Sequence, residues 1–155
     1  MERIAIFPGS FDPFTVGHED MVKRGLMLFD RIIIGIGLNS EKRYFFSLEK
    51  RLNFIKELFT EEARVTVETF EGLTVNFAKE KNAVAILRGL RNISDFEYEM
   101  SIAQINRQLT GIETLFLLTS LQHTHVCSSI IRDILQHKGD VSNFIPEKIY
   151  KMIND

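Results

Sequence analysis

Cysteine is nearly absent: Cys127 is the one thiol in 155 residues. An intrachain disulfide is excluded, which suits a reducing cytoplasm. No apolar run approaches the roughly 20 residues a membrane-spanning helix needs. The chain starts into Arg3-Ile4-Ala5-Ile6-Phe7 without the basic and then apolar pattern of a signal segment. An excess of either charge is missing too, because 19 Lys and Arg stand against 21 Asp and Glu, a formal net charge of −2. This excludes a whole-surface attraction to nucleic acid or an anionic membrane, so an anionic ligand must be held by a local basic cluster. Internal repeats, low-complexity tracts and linkers are also missing. The sequence therefore predicts one cytoplasmic, soluble domain over 1–155, long enough to bury its own core.

What is present is an alternation of short apolar runs and helix-length amphipathic segments. Ile4 to Phe7, Arg31 to Gly37, Val65 to Val67, Val84 to Leu87 and Glu113 to Leu118 read as strands. Between them, His18, Met21, Val22, Leu26 and Phe29 keep helical spacing, as do Leu48, Leu52, Ile55 and Phe59. Leu73 to Lys81 forms a third helix. Ser94 is the expected N-cap of a fourth that runs to about Leu109, with Glu97 as capping-box partner. Ser128 to His137 is another, and a last helix starts after Pro146. This order predicts an α/β fold: a doubly wound, parallel, five-stranded sheet with helices on both faces. Ligands of such sheets bind beyond the strands' carboxyl ends, at a switch point in strand order.

Four loops fall at that rim. Gly9-Ser10-Phe11-Asp12-Pro13-Phe14-Thr15-Val16-Gly17-His18 follows the first strand and puts a histidine at a helix N-terminus, where unpaired N–H groups attract phosphate. Gly9 permits close backbone approach. The string is not a Walker A loop, for it lacks the closing Gly-Lys-Ser/Thr. Asn39 to Arg43 follows the second strand and offers Lys42 as a mobile point charge, although on this short string alone plain solvated loop charge is the better reading. Arg88-Gly89-Leu90-Arg91 follows the fourth strand, with guanidinium forks suited to phosphate and a glycine that lets backbone approach a ligand. Asp95 and Glu99 share the face of the next helix, where a carboxylate can orient those arginines, contact a ribose or help hold a metal; Phe96 and Met100 are assigned to the core. The segment His123-Thr124-His125-Val126-Cys127-Ser128-Ser129 opens a helix with hydroxyls and N–H groups, a second anion site. Its histidines and cysteine match no common structural zinc spacing, and nothing in the string specifies a base that would make Cys127 a nucleophile.

Together these strings resemble phosphopantetheine adenylyltransferases, a bacterial family of coenzyme A biosynthesis within the Rossmann-like nucleotidyltransferases. Thr15-Val16-Gly17-His18 is shared across the superfamily. Arg88-Gly89-Leu90-Arg91 followed by Asp95-Phe96-Glu97-Tyr98-Glu99-Met100 is specific to the family, and Gly139-Asp140-Val141 and Pro146-Glu147 also fit it. The resemblance implies that ATP and 4′-phosphopantetheine give dephospho-coenzyme A and pyrophosphate, with Mg²⁺ assisting and no metal ligand assigned on the protein. It implies that His18 stabilises the transition state, with Lys42 and Arg91 also in the catalytic set. Ser10, Lys42, Thr74 and Arg88 would hold phosphopantetheine. Ser10, Phe11, His18, Gly89, Leu90, Arg91, Glu99 and the loop His123, Thr124, His125, Val126, Cys127, Ser128, Ser129 would hold ATP. It further implies a homohexamer inhibited by coenzyme A. Three departures stand out: no proline in Asn39-Ser40-Glu41-Lys42, a cysteine at 127 where serine is common, and no aromatic residue in Leu121-Gln122-His123. A cytidylyl- or nicotinamide-mononucleotide-type transferase shares the histidine string but not the Arg88-to-Glu99 block. A non-catalytic nucleotide-binding module has no need of the whole set.

Overall fold

The computed structural model describes residues 1–154. Ile4–Gly9 (β1), Val16–Gly25 (α1), Arg31–Leu38 (β2), Leu48–Leu58 (α2), Val65–Glu71 (β3), Thr74–Glu80 (α3), Ala85–Leu90 (β4), Ile93–Thr110 (α4), Glu113–Leu118 (β5), Ser128–Gln136 (α5) and Glu147–Asn154 (α6) follow in order. The sheet is parallel, with strand order β3-β2-β1-β4-β5. Chain order reverses between β1 and β4, so the loops after these two strands are neighbours at the switch point. This is the expected doubly wound α/β architecture.

One face of the sheet is covered by α1, α2, α5 and α6, through a core that includes Phe14, Val22, Ile34, Ile55, Ile131 and Ile149. The other face carries a smaller core of Ile6, Ile33, Ile86, Val75 and Phe77 under α3. Burial of these aliphatic and aromatic groups is the main drive to fold, about 25 cal/mol for each Å² of apolar surface removed from water.

Several boundaries differ from the sequence reading. β1 runs on through Gly9, β3 through Glu71 and β4 through Leu90, because ladders such as Gly9 with Ile36 and Leu90 with Leu118 continue the pairing past the apolar runs. Arg88, Gly89 and Leu90 therefore end a strand rather than follow one. α4 begins earlier than expected: Asn92, not Ser94, is its N-cap, since the Asn92 side-chain oxygen accepts from the Asp95 N–H at 2.8 Å. Glu97 has no capping role in that arrangement. Phe96 and Met100 are exposed rather than in the core, and α4 contributes no buried residue. Ile93, Ile102, Ile105 and Leu109 are exposed as well, so the helix carries more apolar surface than β4, β5 and α3 can cover.

Candidate active site

The β1–α1 loop is held by its own side chains. Phe11 adopts a left-handed φ of 49°, and its ring lies so close over Gly9 that a Cβ there would be 2.8 Å from Cζ. The close approach that Gly9 permits is thus made by Phe11, within the chain. Thr15 caps α1: its hydroxyl accepts from the His18 N–H at 3.2 Å, and its own N–H donates to His18 Nδ1 at 3.0 Å. This is a capping box with histidine in place of the usual glutamate. Nδ1 is an acceptor, so a neutral imidazole carries its proton on Nε2. The rings of Phe11 and Phe14 stand 5.1 and 5.2 Å from the imidazole. Burial, and then the charges of Arg88 and Arg91, push the His18 pKa down to about 4. At neutral pH His18 is an uncharged hydrogen-bond donor on a cavity wall.

The two arginines of β4 and the loop after it are matched to the two carboxylates of α4. Arg88 grips Glu99 with two nitrogens, Nε at 2.9 Å, and Nη1 donates to the Pro8 carbonyl at 3.0 Å across the switch point. Arg91 Nε donates to Asp95 at 3.1 Å. Gly89 packs closely on Met21, since a Cβ there would lie 3.3 Å from its sulfur. At the start of α5 the Ser128 hydroxyl donates to the Pro13 carbonyl at 3.0 Å. Arg132, one turn on, donates to the Asp12 carbonyl at 2.8 Å. Cys127 is the N-cap of α5 and makes no side-chain cap bond. Burial raises its thiol pKa, but the Ser129 N–H, Arg91 and neighbouring α5 donors outweigh that and bring it below the ordinary value.

These parts enclose a cavity of about 510 Å³. Ser10, Phe11, His18, Arg88, Gly89 and Arg91 line it. So do Glu99, His123, Val126, Cys127, Ser128 and Ser129. Lys42 and Thr74 stand elsewhere, in an open cleft of about 440 Å³ beside the ends of β2 and β3, which meets the cavity at Ser10. A groove of about 330 Å³ joins Ser10 and Thr74 to Arg88 and Glu99. The structure does not bring Leu90, Thr124 or His125 to the cavity wall. Leu90 is buried, and its pairing with Leu118 carries β4 through it instead of leaving it in a rim loop. Thr124 is exposed and its hydroxyl bonds back to the Leu121 carbonyl, while the His125 ring faces Phe144. Thr15 and Asp12 were missed by the sequence reading. The signal for Thr15 was a capping threonine three residues before His18.

The chain matches the cytidylyltransferase-like family model over residues 6–134. It is 55% identical over 147 residues to the phosphopantetheine adenylyltransferase of Flavobacterium johnsoniae, covering 95% of this chain and 97% of the relative. Identity is 51% with the protein of the same name from Cytophaga hutchinsonii, covering 96% and 100%, and 42% with that from Geotalea daltonii, covering 98% and 95%. The chain belongs to the phosphopantetheine adenylyltransferase family. A solved bifunctional NMN adenylyltransferase/ADP ribose pyrophosphatase from Francisella tularensis shares the fold, with a TM-score of 0.73 at 16% identity over 94% of this chain and 45% of that one. In this phosphopantetheine adenylyltransferase family member, the residues that the family resemblance selects converge on connected clefts, with Leu90, Thr124 and His125 as the exceptions.

Proposed function

We propose that this chain transfers the adenylyl group of ATP to 4′-phosphopantetheine, giving dephospho-coenzyme A and pyrophosphate. The observation that carries the reading is the neutral His18, with Nδ1 bonded to the Thr15 N–H and Nε2–H left to donate, on the wall of a cavity that Arg88 and Arg91 also line. Full-length relatives of that name support the acceptor over other nucleotidyl acceptors.

A phosphate oxygen of phosphopantetheine attacks the α-phosphorus of ATP. The bond from that phosphorus to the β-phosphate oxygen breaks, and pyrophosphate leaves with the electron pair. The side chains offer positioning and charge stabilisation, as phosphoryl-type transfers require, and no covalent enzyme intermediate is involved. His18 Nε2–H donates to the α-phosphoryl oxygens as their charge grows. Phe11, Arg91, Ser128, Ser129 and the α5 N–H groups hold ATP, with Gly89, Glu99, His123, Val126 and Cys127 shaping that cavity. Arg88, Thr74, Lys42 and Ser10 hold phosphopantetheine, and Ser10 lies where the two clefts meet.

Among the described residues no three His, Cys, Asp or Glu side chains gather as a metal site. Mg²⁺ fits this chain as a companion of the ATP phosphates, which it commonly binds while keeping several waters. Coenzyme A shares the pantetheine arm and the nucleotide of the product, so it would compete for the same clefts. The lone thiol and the use of ATP support a cytoplasmic setting, and no described helix is long and apolar enough to cross a membrane. The uncovered apolar side chains of α4, with Leu118 of β5 73% exposed, support assembly of copies into a homohexamer.

The deciding assay incubates the protein with ATP, Mg²⁺ and 4′-phosphopantetheine and measures pyrophosphate. Release only with CTP in place of ATP overturns the donor assignment, and release only with nicotinamide mononucleotide in place of 4′-phosphopantetheine overturns the acceptor assignment. ATP binding without release under any condition overturns catalysis. Sizing in solution should give a particle six times the 17.9 kDa chain, and a monomer would end the hexamer proposal.

A further inference from the structure

Two charged side chains are buried beneath the rim: Asp12 and Arg51, each 2% exposed. Burying a charge is costly unless its hydrogen bonds are made. Both bond to one short stretch of backbone, Phe45 and Phe46. The Asp12 carboxylate accepts from the Phe45 N–H at 2.7 Å and the Phe46 N–H at 2.8 Å. Arg51 Nε donates to the Phe46 carbonyl at 3.2 Å, and its guanidinium lies 3.9 Å over the Tyr44 ring. Arg51 Nη1 then donates to the Ser10 carbonyl at 2.7 Å. Burial lowers the Arg51 pKa, and the charge of Asp12 opposes that fall.

The consequence lies at both ends of this tie. Ser10 borders the main cavity, the groove and the Lys42 cleft. Lys42 precedes Tyr44 by two residues and is exposed; its own N–H bonds only locally, to the Asn39 carbonyl at 3.2 Å. Apolar side chains of similar volume commonly fill a core as stably as buried charges do. What buried charges add is direction, because each bond selects one amide or carbonyl and so fixes register.

We propose that Asp12 and Arg51 are positioning residues that couple the Lys42 loop to Ser10, so that the Lys42 ammonium is delivered to the junction where the two substrates meet. The proposal rests on the adenylyl-transfer reading of the site, in which Lys42 holds phosphate.

The test is a double-mutant cycle on the full chain with Arg51→Gln and Lys42→Ala, read as kcat and KM, with amide exchange over residues 39–46. Arg51→Gln should lower kcat about tenfold or more with ATP KM changed less than about threefold, and adding Lys42→Ala should cost less than about threefold further. Arg51→Lys, which keeps the charge but not the fork, should recover part of the loss. Losses that multiply in the double variant, or a normal kcat in Arg51→Gln, would overturn the coupling. If Arg51→Gln lacks a cooperative thermal transition, Asp12→Asn takes its place under the same criteria, since it keeps the volume and one acceptor. A wild-type protein without turnover would sink the adenylyl-transfer reading instead. Amide exchange then decides the clamp: faster exchange at Lys42, Phe45 and Phe46 with α2 still protected supports it, and unchanged exchange overturns it.

Discussion

The two sides of the site are built differently. On the side of β1 and β4, each basic group has a partner: His18 is tied to Thr15, Arg88 to Glu99 and Arg91 to Asp95. On the side of β2 and β3, Lys42 is exposed in a loop and makes no ion pair among the described residues. The matched side is set before any ligand arrives, which is what stabilising charge in a transition state requires. The open side offers a flexible point charge that can follow an incoming phosphate. On the proposed reading, the matched side, Arg88 included, fixes the geometry of transfer and the Lys42 side adapts to it.

The largest effect expected from breaking the matched side is His18→Ala. It should lower kcat on the order of 10²–10³-fold, the usual loss for one preorganised donor, with ATP binding nearly kept. A collapse of ATP affinity with kcat intact would show that His18 binds the ground state instead. Lys42→Ala tests the adaptable side and should cost roughly tenfold to a hundredfold in kcat/KM for phosphopantetheine, as loss of one charged contact does. An effect confined to the KM of ATP would reverse the assignment of the two sides. Next in size is Glu99→Gln, which frees Arg88 from its carboxylate. It should raise the phosphopantetheine KM by roughly tenfold, in line with breaking a partly buried charged pair, and an unchanged value would show that Arg88 needs no partner.

The matched side also predicts a pH behaviour. The folded His18 takes up a proton only near pH 4, whereas its ordinary pKa is 6.5. Between these values the unfolded chain binds a proton that the folded chain refuses. The stability gained from neutral His18 is therefore whole above 6.5 and is lost as pH falls toward 4. The imidazole resonance that disappears in His18→Ala should not titrate above about pH 5; a midpoint near 6.5 would refute the neutral donor. The smallest effect is expected from Cys127→Ser. Serine is the better N-cap, worth about 0.5–1 kcal/mol, so activity should stay within about twofold. A large loss would assign the thiol a role.

The alternation of apolar runs and helical spacing, together with Gly9 to His18 and Arg88 to Glu99, was enough to determine the parallel α/β fold, the family and the rim on which the chemistry sits. These features are local: periodicity, capping and short strings can be read without knowing what packs where. Only the tertiary structure decided which of those residues meet. Leu90 is buried in a strand that pairs on through it, and His125 turns to Phe144. Arg51, one charge on an amphipathic helix, proves buried and bonded to Ser10, 41 positions away. Ser94 was the expected cap of α4, but the Asn92 side chain takes that place by accepting from the Asp95 N–H. The exposed apolar face of α4 is likewise invisible in its sequence, because burial depends on the area its neighbours can cover.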